Sequence, residues 1–224
     1  MKSISRREWA LLAVILVYSF VPSFGGLARA VELFGGPALA PLNPRVLAAP
    51  VPVGLHIFSS VLFCLAGALQ FVESLRSNYP ALHRVVGRVV AAAGCVSALT
   101  GLWMTHFYAF PAELQGPLLY WVRIALSLSM LGLIAWAVVT IRSGDVVGHK
   151  SAMLRAYAIG QGASTQSVLG IAWIVVVGSE PLGLVRDGMM VFAWGLNLLA
   201  AELLIGRVFS TREKRRRGVA WLQR

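Results

Sequence analysis

The chain has 224 residues, 58% of them hydrophobic and only 13% charged, with a formal net charge of +11. Soluble domains carry about a quarter charged residues, and a chain this short has no core large enough to hide so much apolar surface, so the solvent is lipid. The basic balance raises nucleic acid as a partner, but Lys and Arg gathered on one side of a membrane account for it better, and no nucleic-acid partner is expected.

Met1 to Glu8 is polar and basic, with Lys2, Arg6 and Arg7. The first apolar run is about 9–25. It ends near Ala28-Arg29-Ala30, a small-residue pattern like a signal-peptidase site. The run is longer than a usual signal core, so it reads as an uncleaved anchor, with cleavage as the alternative. Val31 to Val51, with Pro37, Pro41, Pro44 and Pro50, reads as a loop. Further spans are expected at about 52–72, 85–107, 118–141, 153–177 and 187–209, followed by a basic tail over 210–224. Each is near the 20 residues a bilayer requires. The chain lacks the alternation of a membrane barrel, so the spans are helices. The expectation is an all-α integral membrane bundle of six transmembrane helices in a single domain over 1–224.

Between the apolar runs lie two charged segments, Gln70–Arg84 and Arg142–Ala152, both read as loops. Counting charge by side puts sixteen Lys and Arg on the face of these loops and the two termini. Three (Arg29, Arg45, Arg186) fall on the other face, and Arg123 lies inside the fourth span. Such asymmetry places both termini in the cytoplasm. Arg123 is expected to snorkel outward or to meet Glu113.

Polar groups inside a membrane need partners. Tyr157, Gln161, Ser164 and Thr165 recur at helical spacing and share one face of the fifth span. Two readings stand: hydrogen bonds that glue helices together, or the lining of a polar cavity. Gly94, Ser97, Ala98 and Gly101 on the third span read as a close-packing surface. Cys64 and Cys95 fall in apolar runs and read as small buried residues. No broken helix pair or inverted repeat stands out.

The four histidines fall two to a side. His56 and His106 lie toward the outer face, and His83 and His149 at the inner entrances of the third and fifth spans. Paired histidines on neighbouring membrane helices hold b-type haem. Arg84 and Arg155 beside the inner pair could neutralise its propionates, and Met153 is a further soft ligand. Against this, His83 and His106 are about 34 Å apart along one helix, which puts them at the two water interfaces. The arginines equally suit anionic lipid headgroups. No metal centre is expected.

His56, Gly67, Gln70-Phe71, Arg76, Leu82-His83-Arg84, Gly87-Arg88, His149, Met153, Arg155 and Tyr157 together resemble the domain-of-unknown-function 2306 family of bacterial multi-pass membrane proteins. The resemblance spans roughly His56 to Arg207. It implies a polytopic membrane protein with functional weight on those positions, and no reaction. Ala152 stands where the family carries a tryptophan, and an arginine expected late in the fifth span is absent, with Gln166 nearby.

Three functions follow from these features. One is a redox membrane protein with haem or quinone at the histidine pairs. Another is a small transporter or ligand-binding protein using the polar face of the fifth span. The third is a non-catalytic subunit of a membrane complex, held by a protein partner.

Overall fold

The computed structural model describes residues 3–37, 39 and 43–221, with side chains through Arg207. The described residues form helices and no strands. Among the described residues six spans are long and apolar enough to cross a membrane: Arg6–Leu33, Pro50–Phe71, Pro80–Phe107, Pro117–Arg142, Val146–Val177 and Gly183–Arg207. The fold is therefore an all-α integral membrane bundle. Its outer surface is apolar, as lipid demands, with Val17, Val175 and Val176 between 73% and 83% exposed.

Helix α1 is Arg6–Leu33, opened by a capping box between Ser5 and Glu8. Four helices begin on a proline, whose missing N–H is no loss in a first turn. They are α2 (Pro44–Ala48), α3 (Pro50–Ala68), α5 (Pro80–Phe107) and α6 (Pro117–Arg142). Helix α4, Glu73–Asn78, follows α3 after one 3-10 turn. Asp145 caps α7, Val146–Gly160. Helix α8, Gly162–Val177, ends on Gly178 at φ 79°, the left-handed conformation that glycine adopts without strain. Helix α9 is Gly183–Trp221.

These starts correct the loop boundaries drawn from hydropathy. Gln70–Arg84 is mostly helical, so His83 sits in the first turn of α5. Arg142–Ala152 has only a three-residue turn before α7, so His149 is also helical. The proline-rich stretch 31–51 contains the end of α1, the whole of α2 and the start of α3, although Pro41 lies outside the described residues. In each case polar first turns hide a helix start from a hydropathy count, while a cap or proline sets it. The side chains of the basic tail over 210–224 lie outside the described residues.

Helix α5 packs along α3 and α6, α6 along α7, α7 and α8 along α9, and α1 along α3 and α8. The centre is Phe63 of α3, 1% exposed, beside Val90, Met130, Ile134 and Ala156. A Cβ at Gly94 would lie 2.7 Å from the Phe63 ring, and one at Gly160 2.6 Å. Small residues on two helices thus admit one large ring, the usual way membrane helices reach close contact.

Candidate functional site

The fifth span is discontinuous. Helix α7 stops at Gly160, Gln161 adopts φ −75° and ψ 0°, and α8 resumes at Gly162. The Ser164 N–H turns back to the Gln161 carbonyl at 3.0 Å rather than to Gly160. Three carbonyls ahead of the break need other donors, because lipid supplies none. Asn197 donates its amide to Ala158 at 3.2 Å, and the Trp194 indole donates to Ile159 at 3.1 Å. The Cys64 thiol lies 3.9 Å from the Gly160 carbonyl. Gly162 is required by the same contact, since a Cβ there would sit 1.9 Å from Trp194 Nε1.

Tyr157, Gln161, Ser164 and Thr165 are all buried. Gln161 Nε2 donates to Ser19 and Tyr157, both at 2.9 Å, and its Oε1 accepts from Ser164 at 2.7 Å. Tyr157 donates to the Cys64 carbonyl at 2.7 Å. Thr165 donates to Asn197 Oδ1 at 2.7 Å and meets the Tyr18 hydroxyl. The cluster ties α1, α3, α8 and α9 to the break. Its members satisfy one another, which fits the interhelical reading of these residues.

At the end of the bundle where α5 and α7 begin, His83 lies within electrostatic reach of Arg76, Arg84, His149 and Lys150. These groups come from α4, α5 and α7, and the fold gathers them into one basic mouth. His83 Nδ1 is buried without a hydrogen-bond partner. His149 is oriented differently. Its Nδ1 is 2.9 Å from the Ala137 carbonyl, an acceptor only, so that nitrogen carries the proton. Nε2 of neutral His149 is then left with its lone pair. Arg76 has Glu73 at 3.7 Å, a pair in which the glutamate side chain is 77% exposed. Arg155 is instead paired with Glu202 of α9, through Nε at 2.5 Å and Nη2 at 2.8 Å.

The histidines toward the other end take separate partners. His56 Nδ1 lies 3.0 Å from the Ser97 carbonyl and 3.1 Å from the Thr100 hydroxyl, inside the α3–α5 contact. His106 is exposed and bonds the Tyr120 hydroxyl at 2.9 Å. An open apolar groove of about 470 Å³ runs beside His106 between α5 and α6, lined by Leu99, Trp103, Phe107 and Leu128 among others.

The model of a family described as "Predicted membrane protein (DUF2306)" matches residues 53–205. The chain belongs to the DUF2306 family. No curated protein and no solved structure matches it. The DUF2306 match covers all four histidines, the basic mouth and the broken span, while α1 precedes it. Tyr18 and Ser19 thus complete the polar cluster from outside the matched stretch. Several positions that carry the family likeness meet in space. Gly67 lies under the Tyr157 ring, where a Cβ would be 2.6 Å away, and Gly87 lies under Gln70, at 3.2 Å.

Two positions escaped sequence reasoning. Asp187, 0% exposed, accepts from the N–H groups of Gly116 at 3.2 Å and Leu119 at 3.3 Å, capping α6 from α9. Glu8 accepts from the Ser74 N–H at 2.7 Å and so caps α4 from α1. A carboxylate at the edge of an apolar run was the available signal. Nothing local in sequence names its partner helix. Of the two expectations for Arg123, the side chain follows the outward one: it reaches past the start of α6 to Gln115 at 2.6 Å, and among the described residues it forms no ion pair with Glu113.

Proposed function

We propose that this DUF2306 protein binds an anionic ligand at the mouth formed by His83, His149, Arg76, Arg84 and Lys150. The observation that carries the proposal is the buried, unpartnered Nδ1 of His83 among four groups able to carry positive charge. A buried polar atom without a partner is uncommon and calls for one. Like charges gathered at a membrane surface attract an anion, and anionic lipid is the commonest at that depth. We place the mouth and both termini on the cytoplasmic side of a bacterial inner membrane. The sixteen-to-three division of Lys and Arg supports this orientation.

A second reading, haem b held by His83 and His149, draws on the tautomer of His149. A metal-ligating histidine commonly fixes its other nitrogen on a carbonyl, as His149 does on Ala137. Haem would supply one-electron redox chemistry, and Arg76 and Arg84 would be the residues to hold its propionates. Arg155, engaged by Glu202, is the weaker candidate for that task.

One experiment separates the two. The protein is purified from cells supplied with haem, its absorption spectrum is recorded, and its binding of added phosphatidylglycerol is titrated by native mass spectrometry. A Soret band lost in His149→Ala supports haem. No Soret band, with saturable phosphatidylglycerol binding weakened in Arg84→Gln, supports an anionic lipid. Absence of both signals rejects the mouth as a ligand site.

A further inference from the structure

We propose that Arg45, Arg123 and Arg186 form a second anion site, taking a phosphate group, at the end of the bundle opposite the basic mouth. The two ends are far apart, because α5 runs 28 residues from one to the other, about 40 Å. The three arginines come from α2, α6 and α9, and two of them, Arg45 and Arg123, converge on the Phe110 ring. Arg45 Cζ lies 4.8 Å and Arg123 Cζ 5.4 Å from the centroid of that ring. Arg186 lies within electrostatic reach of both.

The protein's own acceptors leave most of these donors open. Each guanidinium has five N–H groups. Arg123 donates to Gln115 at 2.6 Å and lies 3.8 Å from the Met190 sulfur. Arg186 donates to the Leu114 carbonyl at 3.3 Å. Arg45 has the face of Phe110. Among the described residues no ion pair joins any of the three to a carboxylate. Asp187 is near, but its oxygens face the Gly116 and Leu119 N–H groups. Glu113 and Glu180 are exposed.

Arg123 is also about 9 Å along α6 from Pro117, at the depth where a membrane begins to exclude water. Asp187 and Glu180 offset part of the positive charge gathered there. Among the described residues neither forms an ion pair with an arginine of the group, so an anion seated between the guanidiniums lowers their mutual repulsion further. Three guanidinium forks approaching from three helices suit an anion with several oxygens, and phosphate is the one that lipid headgroups and soluble metabolites share.

The test uses the whole protein in two arms, with Arg45→Gln as the main variant, because Arg45 can be changed without breaking a hydrogen bond that Arg123 makes. In neutral detergent, inorganic phosphate is titrated at constant ionic strength against chloride, and the unfolding midpoint is followed. In nanodiscs of phosphatidylcholine with or without phosphatidylglycerol, retained lipid is read by native mass spectrometry. The expected result is saturable binding in at least one arm, about tenfold weaker in Arg45→Gln and partly restored by Arg45→Lys, which returns the charge without the fork. Saturation with inorganic phosphate identifies a soluble anion as a ligand. Retention of phosphatidylglycerol alone identifies the headgroup. Binding in neither arm, or unchanged binding in Arg45→Gln, overturns the proposal.

Discussion

Trp194 donates its indole N–H to the carbonyl of Ile159 at 3.1 Å, across the interface between α9 and the break in the fifth span. The bond replaces one that the helix gives up at Gln161. Membrane helices tolerate such breaks only where neighbours re-satisfy the backbone. Trp194→Phe keeps most of the ring and removes the donor. A buried carbonyl left without a partner costs about 1–3 kcal/mol, so a lower unfolding midpoint in detergent is expected. An unchanged midpoint would show that the break is satisfied in some other way.

The same indole makes Gly162 irreplaceable by a larger residue. Gly162→Ala is expected to destabilise, because its methyl would lie 1.9 Å from Trp194 Nε1. The pair Gly162→Ala with Trp194→Leu should lose less than the two single changes together, with a coupling of about 0.5–3 kcal/mol. Strict additivity in the double-mutant cycle would remove the steric account.

Helix α1 is expected to remain part of the mature protein, since Ser19 bonds Gln161 and Glu8 bonds Ser74. Protein purified from membranes should carry residues 6–33 in its intact mass. Ser19→Ala should lower stability by about 0.6 kcal/mol, the mean for such bonds in membranes. A mass beginning after Ala30 contradicts this.

Much of the architecture is legible in the sequence, and the reasons are local. Apolar runs of bilayer length reveal the spans, and the polar spacing from Tyr157 to Thr165 reveals an interior face. The first turns of α5 and α7 are harder to see. His83, Arg84, His149 and Lys150 are polar enough to pass for loop, while Pro80 and Asp145 set the true starts. The break at Gln161 is harder still. Gly160 and Gly162 flank it, but glycines are frequent in membrane helices. What marks this pair is Phe63 on one side and Trp194 on the other, from helices distant in sequence. The role of Asp187 is hidden for the same reason, since Gly116 lies 71 residues away.

The orientation rests on charge, and labelling tests it. Single cysteines at Ser77 and Ser143, in a protein lacking Cys64 and Cys95, should react with an impermeant thiol reagent only after lysis. Labelling at Ser143 in intact cells would reverse the bundle and put the basic mouth outside.

The claim that His83, His149 and their basic neighbours hold an anionic ligand is tested most directly by native mass spectrometry. Protein released from membranes in a mild neutral detergent should carry an added mass, of haem or of an anionic phospholipid. That species should fall about tenfold in the double variant His83→Ala with Arg84→Gln, as expected when charge-assisted bonds are lost. A bare wild-type protein, or an adduct population that the double variant leaves unchanged, would contradict the account.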